Sequence, residues 1–490
     1  NEPWASATNP GYSAFKTAQA ARTPVVYVGT NAGMLHAING SLTGTGAGTE
    51  LFAYVPGRLA EGPTGSPGTT GLAARGDPTN FQHKFFVDAS PVVIDIDLNR
   101  TAGSGSTTPD WRTILIGGLG KGGKSLYALD VTDPSSWTTE TAVAGKVMWE
   151  FTDADLGYTY GEPQIVKTAQ HGWVVVFGSG YNNTDGVGYI YIVNPRTGQL
   201  IQKISTGAGS AAAQAGLAHV QAFLLDRTDG TADSLYAGDL LGNLWRVDLK
   251  PTTGAYAAPT RIATLADAAG NAQPVTTRPL VVVQPDNQRR WVTVGTGKLL
   301  DASDLTTTQR QTMYAIVDGT ARAFSAAAPA GFSYPLSRSR LRALTNLTTP
   351  IVLNLSNEMG WYLDLDTVTG GPSYRVNAES TSFFGVLEFL AMSPASDDPC
   401  RAGQSRAYAI DLGTGQSNLI AADGTTMAYY TVTDGVATEQ RSLSVSEANQ
   451  IGRRRLVVCT DQGGCQALNT RTPPGVGLRR LNWRELILAD

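Results

Sequence analysis

The pattern that indicates the fold first occurs in Val25-Val-Tyr-Val-Gly-Thr-Asn-Ala-Gly-Met-Leu-His-Ala-Ile-Asn39. A β-branched run is followed by a glycine-bearing turn and by a second apolar run that ends in a polar residue, which is the pattern of a β-hairpin. The same phrase recurs at residues 113–130, 173–194, 234–248 and 291–318. In these later copies the first strand ends at Gly117, Gly178, Gly238 and Gly295, which are 61, 60 and 57 residues apart. This period predicts a β-propeller of four-stranded blades with long loops.

The strands outside these hairpins complete the predicted architecture. An earlier apolar run supplies the innermost strand of four blades, at residues 90–95, 162–166, 219–225 and 278–283. Later strands lack the glycine turn, at residues 361–366, 382–390 and 407–411. We therefore predict an all-β, modified β-propeller of about seven blades, with irregular C-terminal blades, forming a single domain over residues 1–490. Helices should be scarce, with short ones at residues 306–311 and, on a cap-like spacing of Ser and Glu, at residues 444–450.

The composition is that of a globular protein with many turns. Of the 490 residues, 55 are Gly and 25 are Pro, and 42% are hydrophobic. The formal net charge of -4 argues against nucleic acid or anionic lipid as a partner. No run of 18 apolar residues occurs, so we expect no transmembrane segment. Because the chain begins at Asn1 rather than Met, we expect a mature product or an excised fragment.

The cysteines, Cys400, Cys459 and Cys465, are too few for a disulfide scaffold and lack the spacing of a zinc knuckle. In an oxidising compartment, a disulfide between Cys459 and Cys465 would close a short, glycine-containing loop. Cys400 either pairs with one of the other two or remains a buried thiol. The sequence leaves these alternatives open.

The best metal-binding candidate is the acidic segment Asp226-Arg-Thr-Asp-Gly-Thr-Ala-Asp233. Its glycine permits a sharp turn that would bring the carboxylates of Asp226, Asp229 and Asp233 toward one cation, with the Thr231 carbonyl as a further ligand. Calcium accepts several such oxygens in a flexible geometry. One residue is missing relative to the usual calcium loop, and the alternative is an ordinary acidic surface turn.

Two other segments resemble ligand sites more weakly. Oxygen-bearing side chains occur at every second position in Asp95, Asp97 and Asn99. No acidic residue follows at the distance that would close a calcium site. The glycine-rich run at residues 117–124 lacks the Gly-Lys-Ser/Thr order of a phosphate-binding loop and lies between predicted strands. Neither segment predicts a ligand as well as the acidic segment does.

Arg75, Gly76 and Asp77 form an integrin-type tripeptide. They lie in a Gly/Pro-rich stretch, residues 57–78, that we expect to be an exposed loop. The tripeptide is therefore a candidate adhesion motif, although so short a motif also arises by chance.

An enzymatic alternative comes from two strand-turn phrases, residues 191–198 and 408–415, which resemble those of quinoprotein dehydrogenase propellers. The adjacent cysteine pair of such enzymes is missing, and no repeated set of Asp, Glu and Arg is present to hold a quinone. A quinone (PQQ)-dependent dehydrogenase on the same propeller fold is thus the alternative function.

Several longer phrases are more specific than any of these motifs. They include Phe86-Val-Asp-Ala-Ser-Pro91 and Leu115-Ile-Gly-Gly-Leu-Gly-Lys-Gly-Gly-Lys124, and others lie at residues 27–37, 48–56, 237–245 and 295–305. Through these phrases the chain resembles, over nearly all of its length, the C-terminal domain of the PilY family of type IV pilus biogenesis factors. The resemblance implies a modified seven-bladed propeller that is the C-terminal part of a longer secreted protein.

The resemblance also implies a function and a cofactor. It implies a non-enzymatic pilus assembly factor and tip adhesin at the bacterial cell surface or outer membrane. Such a protein would act with minor pilins, support twitching motility, and attach to host-cell receptors or abiotic surfaces. It further implies regulation by calcium, bound in the loop that contains Asp226, Asp229, Thr231 and Asp233. The family loop is Asp-x-Asp/Asn-x-Asp-x-x-x-Asp, and this chain departs from it by being shorter.

Overall fold

The computed structural model describes residues 2–76, 82–368, 371–394, 403–432, 436–447, 450–461 and 463–471. The chain divides into two compact units, Asn1–Arg261 and Ile262–Asp490. Strands dominate both units and form seven sheets within the described residues. The predicted all-β class is therefore confirmed. That residues 1–490 form one domain stays a prediction.

The first unit holds four sheets, and in each of them neighbouring strands follow one another in the chain. The first two sheets have the strand orders β1-β2-β3 and β4-β5-β6-β7. Their strands are β1 (Val25–Thr30), β2 (Met34–Asn39), β3 (Glu50–Tyr54), β4 (Val92–Asp97), β5 (Trp111–Gly118), β6 (Leu126–Asp130) and β7 (Val147–Phe151). The next two sheets have the orders β11-β10-β9-β8 and β12-β13-β14-β15. Their strands are β8 (Gln164–Thr168), β9 (Gly172–Gly178), β10 (Val187–Val193), β11 (Leu200–Gly209), β12 (Val220–Leu224), β13 (Ala232–Gly238), β14 (Asn243–Asp248) and β15 (Thr260–Thr264), the last of which contains the point of division.

The second unit holds three sheets. The first has the order β16-β17-β18-β20-β19, with β19 parallel to β20, and the others have the orders β21-β22-β23-β24 and β25-β26-β27. The strands are β16 (Leu280–Val283), β17 (Arg289–Gly295), β18 (Thr312–Thr320), β19 (Arg342–Ala343), β20 (Gly360–Asp364), β21 (Thr381–Phe383), β22 (Val386–Ser393), β23 (Gln404–Asp411), β24 (Tyr430–Val432), β25 (Ala437–Glu447), β26 (Gln450–Thr460) and β27 (Cys465–Asn469). The five-stranded sheet and the short β19 are the irregularities of this half.

The helices in the described ranges are short. They are α1 (Tyr12–Ala18), α2 (Arg58–Glu61) and α3 (Glu140–Ala144), with 3-10 turns at Leu72–Gly76, Gly120–Gly122, Pro134–Ser136, Ala302–Thr306 and Arg338–Arg340. None of them has the length and apolar character that crossing a bilayer requires.

Both predicted helices are wrong. Residues 307–311 are not helical, because the 3-10 turn that Asp301 and Asp304 cap lies earlier and ends at Thr306. Residues 444–447 belong to β25, where Ser444 pairs with Arg454 of β26, and residues 448–449 lie outside the described residues. Ladder pairing with a long partner strand outweighs a weak local capping signal.

The core of the first unit follows the alternation of side chains along β9 and β10. Trp173, Val175 and Phe177 point into one apolar cluster, shared with strands β4 to β7. Val174 and Val176 point into a second cluster, shared with strands β12 to β14. The sheet β8–β11 is thus buried on both faces, which explains why residues 173–177 of β9 form an uninterrupted apolar run. Burying each such side chain contributes about 1.5–3 kcal/mol.

Candidate functional site

The predicted metal-binding turn connects β12 to β13 and has the geometry of a capped turn. Asp226 Oδ1 accepts hydrogen bonds from the backbone N–H and the hydroxyl of Thr228, at 2.8 and 2.7 Å. The Asp226 carbonyl accepts from the N–H groups of Asp229 and Gly230, both at 3.2 Å. The hydrogen bonds from Thr228 hold the pKa of the exposed Asp226 carboxyl below its usual value. Asp226 therefore closes its own turn, as Asp side chains commonly do.

Asp229 faces a lysine that lies outside the acidic segment. Lys167 Nζ, on β8, is 2.8 Å from Asp229 Oδ1, and the two side chains are 8% and 28% exposed. The same ammonium donates to Asn9 Oδ1 at 3.1 Å and to the Thr8 carbonyl at 3.5 Å. Burial acts to raise the pKa of Asp229, but hydrogen bonds from Lys167 and Thr231 outweigh it and keep this pKa below its usual value.

The other predicted ligands take part in different contacts. Thr231 forms a parallel bridge with Lys167, and Asp233 Oδ1 accepts from the Ser234 hydroxyl at 2.5 Å. Nowhere in the described ranges do three Asp, Glu, His or Cys side chains gather in a way that could hold a metal ion. The three carboxylates of the turn thus do not converge, and the residues in this arrangement do not fit calcium. Titration with calcium tests the expectation drawn from the sequence.

The N-terminal segment covers the turn. The Ala5 N–H donates to the Thr228 carbonyl at 2.8 Å. The Asn9 amide, which is fully buried, donates to the carbonyl oxygens of Thr228 and Asp229 at 3.1 and 3.2 Å. Backbone carbonyls are common calcium ligands. Two carbonyls of this turn are instead hydrogen-bonded to the protein's own N–H groups.

Two tryptophans pack beneath the turn. The ring centroids of Trp4 and Trp173 are 5.3 Å apart, and Lys167 Nζ lies 5.8 Å from the centroid of the Trp173 ring. Gly230 adopts φ +82°, and a Cβ at this position would lie 3.2 Å from atoms of both rings. The turn therefore requires glycine for its backbone conformation and for the close approach of the rings.

The carboxylates of the second acidic segment, residues 95–99, accept hydrogen bonds from other groups of the protein. Asp95 is buried and accepts from Tyr12 Oη at 2.9 Å and from Thr113 Oγ1 at 2.7 Å. Asp97, also buried, accepts from the Asn99 N–H at 3.0 Å. These hydrogen bonds satisfy buried polar atoms and account for the acidic residues without a ligand.

The adhesion tripeptide is only partly described. Arg75 and Gly76 are exposed at the end of the 3-10 turn Leu72–Gly76, and the Arg75 guanidinium donates to the Ala32 carbonyl. Asp77 lies outside the described residues. A role for the tripeptide in adhesion stays a prediction.

Cys459 and Cys465 form a disulfide across β26 and β27, where the two residues are paired and their Cα atoms are 4.0 Å apart. Cys400, the third cysteine, lies outside the described residues. The disulfide therefore ties the two strands together next to the loop that joins them.

Two of the phrases that carry the resemblance lie against each other. A Cβ on Gly122 would lie 1.8 Å from the Phe86 carbonyl oxygen, so only glycine allows this approach. The glycine-rich run at residues 117–124 thus packs against residues 86–91. This packing explains the run without a bound phosphate.

The family model and the curated relatives that match this chain belong to the same family. Residues 3–333 match the family model of the PilY1 beta-propeller domain. The chain is 30% identical, over 97% of its length, to a type IV pilus biogenesis factor PilY1 homolog of Xylella fastidiosa and to the type IV pilus biogenesis factor PilY1 of Pseudomonas aeruginosa. It covers 36% and 42% of those two proteins, so it spans about two fifths of the curated relatives it matches.

A solved structure supports the same assignment of the fold. The crystal structure of the Pseudomonas aeruginosa PilY1 C-terminal domain is similar to this chain with a TM-score of 0.69 and 25% sequence identity. The similarity covers 96% of this chain and 98% of that one. The predicted resemblance and the propeller fold are both confirmed.

Proposed function

The chain belongs to the PilY1 beta-propeller family, and we propose that it is a non-enzymatic type IV pilus biogenesis factor and adhesin. It acts at the bacterial cell surface, at the pilus tip with minor pilins, and supports pilus assembly, twitching motility and attachment. It is the C-terminal part of a longer secreted protein and contributes binding surfaces for these contacts.

The observation that supports this function most strongly is the extent of the similarity. The chain and the PilY1 C-terminal domain match over almost the full length of both. A match of this extent leaves few segments of the chain without a counterpart in that domain. The curated relatives that cover the chain are named as pilus biogenesis factors.

The dehydrogenase alternative is not favoured. The relatives are not named as enzymes, and the chain lacks the adjacent cysteines expected beside a quinone. The described disulfide joins cysteines that are six residues apart on neighbouring strands. Purified protein given quinone, calcium and alcohol or sugar substrates should not reduce an artificial electron acceptor.

Deletion of the gene tests the proposal directly. The deletion strain, lacking any paralogue, should lose surface pili in electron micrographs and should lose twitching zones on agar. Growth on alcohols should be unchanged, and the intact gene supplied in trans should restore piliation. Normal piliation and motility in the deletion strain would refute the proposed function.

A further inference from the structure

A buried positive charge lies beside the turn between β12 and β13. Lys167 Nζ lies 2.8 Å from Asp229 Oδ1, and the lysine side chain is 8% exposed. An ammonium group has three donors, and acceptors on three residues surround this one, with Asn9 Oδ1 and the Thr8 carbonyl as the others. The pair is therefore both neutralised and hydrogen-bonded, which a buried ion pair needs in order to be stable.

The position of Lys167 is fixed by the backbone of the turn itself. The Lys167 N–H donates to the Gly230 carbonyl at 2.8 Å, and Lys167 pairs with Thr231 in a parallel bridge. This pairing places the root of the lysine side chain beside the shortened turn. The indole of Trp173 lies under the ammonium and adds a cation–π contact.

We propose that the Lys167 ammonium takes the place of a calcium ion at this turn. A side chain of the protein, rather than a metal, neutralises Asp229 and holds the N-terminal segment through Asn9. The inference goes beyond the proposed pilus function and does not depend on it.

The remaining oxygens of the turn support this assignment. A calcium ion needs several oxygens that converge. Asp226 caps its own turn, and the carbonyls of Thr228 and Asp229 accept hydrogen bonds from Asn9. A calcium ion at Asp229 would also lie beside the ammonium of Lys167, and like charges repel strongly where water is excluded.

The consequence is a turn whose attachment to the N-terminal segment does not vary with calcium concentration. Calcium-dependent turns lose their order when the ion is removed, because binding stabilises only the folded state. A lysine that is part of the chain cannot dissociate. The contacts of Asn9 with the turn should therefore persist in chelator.

Calorimetry and thermal unfolding of the purified 490-residue chain test the inference. We expect no saturable heat on addition of calcium, and equal melting temperatures in millimolar calcium and in EGTA. Lys167→Met should lower the melting temperature by roughly 5–10 °C, because it leaves Asp229 partly buried without its cation. The control Lys16→Met removes a charge from an exposed position of α1 and should leave the melting temperature unchanged.

Two further variants keep the test decisive if Lys167→Met does not fold. Asp229→Asn should also lower the melting temperature, because it removes the charge that neutralises the buried Lys167. The double variant of Lys167→Met and Asp229→Asn should lose less than the sum of the two single losses. Saturable calcium binding that Asp229→Ala abolishes would overturn the inference, and so would an unchanged melting temperature in Asp229→Asn.

Discussion

Trp4 packs against Trp173 with ring centroids 5.3 Å apart and ring planes inclined by 57°. One ring belongs to the N-terminal segment and the other to the fully buried start of β9. The Trp4 indole N–H also donates to the Asp95 carbonyl at 2.8 Å. The N-terminal segment is thus part of the core of the first unit rather than an appendage to it.

The first prediction concerns this aromatic pair. Trp4→Ala should lower the free energy of unfolding by about 2–4 kcal/mol, because it removes a large, half-buried side chain and leaves a gap beside Trp173. Chemical denaturation of the purified chain measures the change. Trp4→Phe keeps a ring but loses the hydrogen bond, and it should fall between wild type and Trp4→Ala. Equal midpoints for all three proteins would contradict this role.

Gly230 is the subject of the second prediction. Gly230→Ala should destabilise the chain by about 1–3 kcal/mol, from the strain of its positive φ and from the approach of the new Cβ to Trp4 and Trp173. Gly254 is a matched control, since its φ is +78° but no atom lies within 4 Å of the position that a Cβ would occupy there. The loss of stability in Gly254→Ala should therefore come from the strain of the positive φ alone. A larger loss in Gly254→Ala than in Gly230→Ala would be inconsistent with tight packing at the turn.

The third prediction is a pH dependence at Asp153. Burial acts to raise its pKa, but hydrogen bonds from the Asp155 N–H, Lys203 and Tyr191 outweigh burial, and its pKa lies below the usual 3.8. A lowered folded-state pKa contributes stability that is present above the unfolded-state pKa and is lost as the pH falls through the folded-state value. The urea midpoint of the wild type should therefore fall as the pH drops below about 4.

Asp153→Asn separates this contribution from the other carboxylates. It should be less stable than wild type at pH 7 by about 1–3 kcal/mol, because Lys203 and Tyr191 lose a charged acceptor. The difference between the two proteins should shrink below pH 4. A difference that stays constant from pH 7 to pH 3 would exclude a titrating Asp153 as its source.

A fourth prediction concerns the cysteines. Alkylation of the unfolded, unreduced chain should modify one cysteine, Cys400, because Cys459 and Cys465 are joined. Reduction before alkylation should expose all three, and peptide mass spectrometry distinguishes the two results. The Cys459→Ser and Cys465→Ser double variant should be destabilised by about 2 kcal/mol, as expected for a short closed loop. Modification of Cys459 without reduction would show that the disulfide is absent.

The hairpins could be predicted because their signals are local. Five repeated phrases were identified in the sequence, and the first of them starts at Val25. In the structure they form the strand pairs β1–β2, β5–β6, β9–β10, β13–β14 and β17–β18. In β1–β2 and β13–β14, short glycine-bearing turns between apolar runs determine the pairing without help from distant residues. The helix predicted at residues 444–450 failed for the opposite reason, since its state is set by pairing with β26.

The environment of the acidic turn could not be predicted in the same way. Asp229 is 62 residues from Lys167, and Asn9 is 220 residues from Asp229. Neither contact produces a periodic or short-range pattern in the amino-acid sequence. One clue was present in the sequence, because Lys167 directly follows the apolar pair Ile165-Val166 in the strand Gln164–Thr168, and a lysine in a buried strand needs an anionic partner.

The distance in sequence between Asn9 and the turn also bears on how the chain is made. Asn9 leaves the ribosome more than 200 residues before the Thr228 carbonyl that it will bind. At about 5–20 residues per second, the N-terminal segment waits about 10–40 s for its partner. During that interval the Asn9 amide is without the carbonyls of Thr228 and Asp229 that it will bind. The N-terminal segment therefore cannot complete its contacts until the turn between β12 and β13 has been synthesised, and a chaperone that binds before then would find Asn9 still unbound to it.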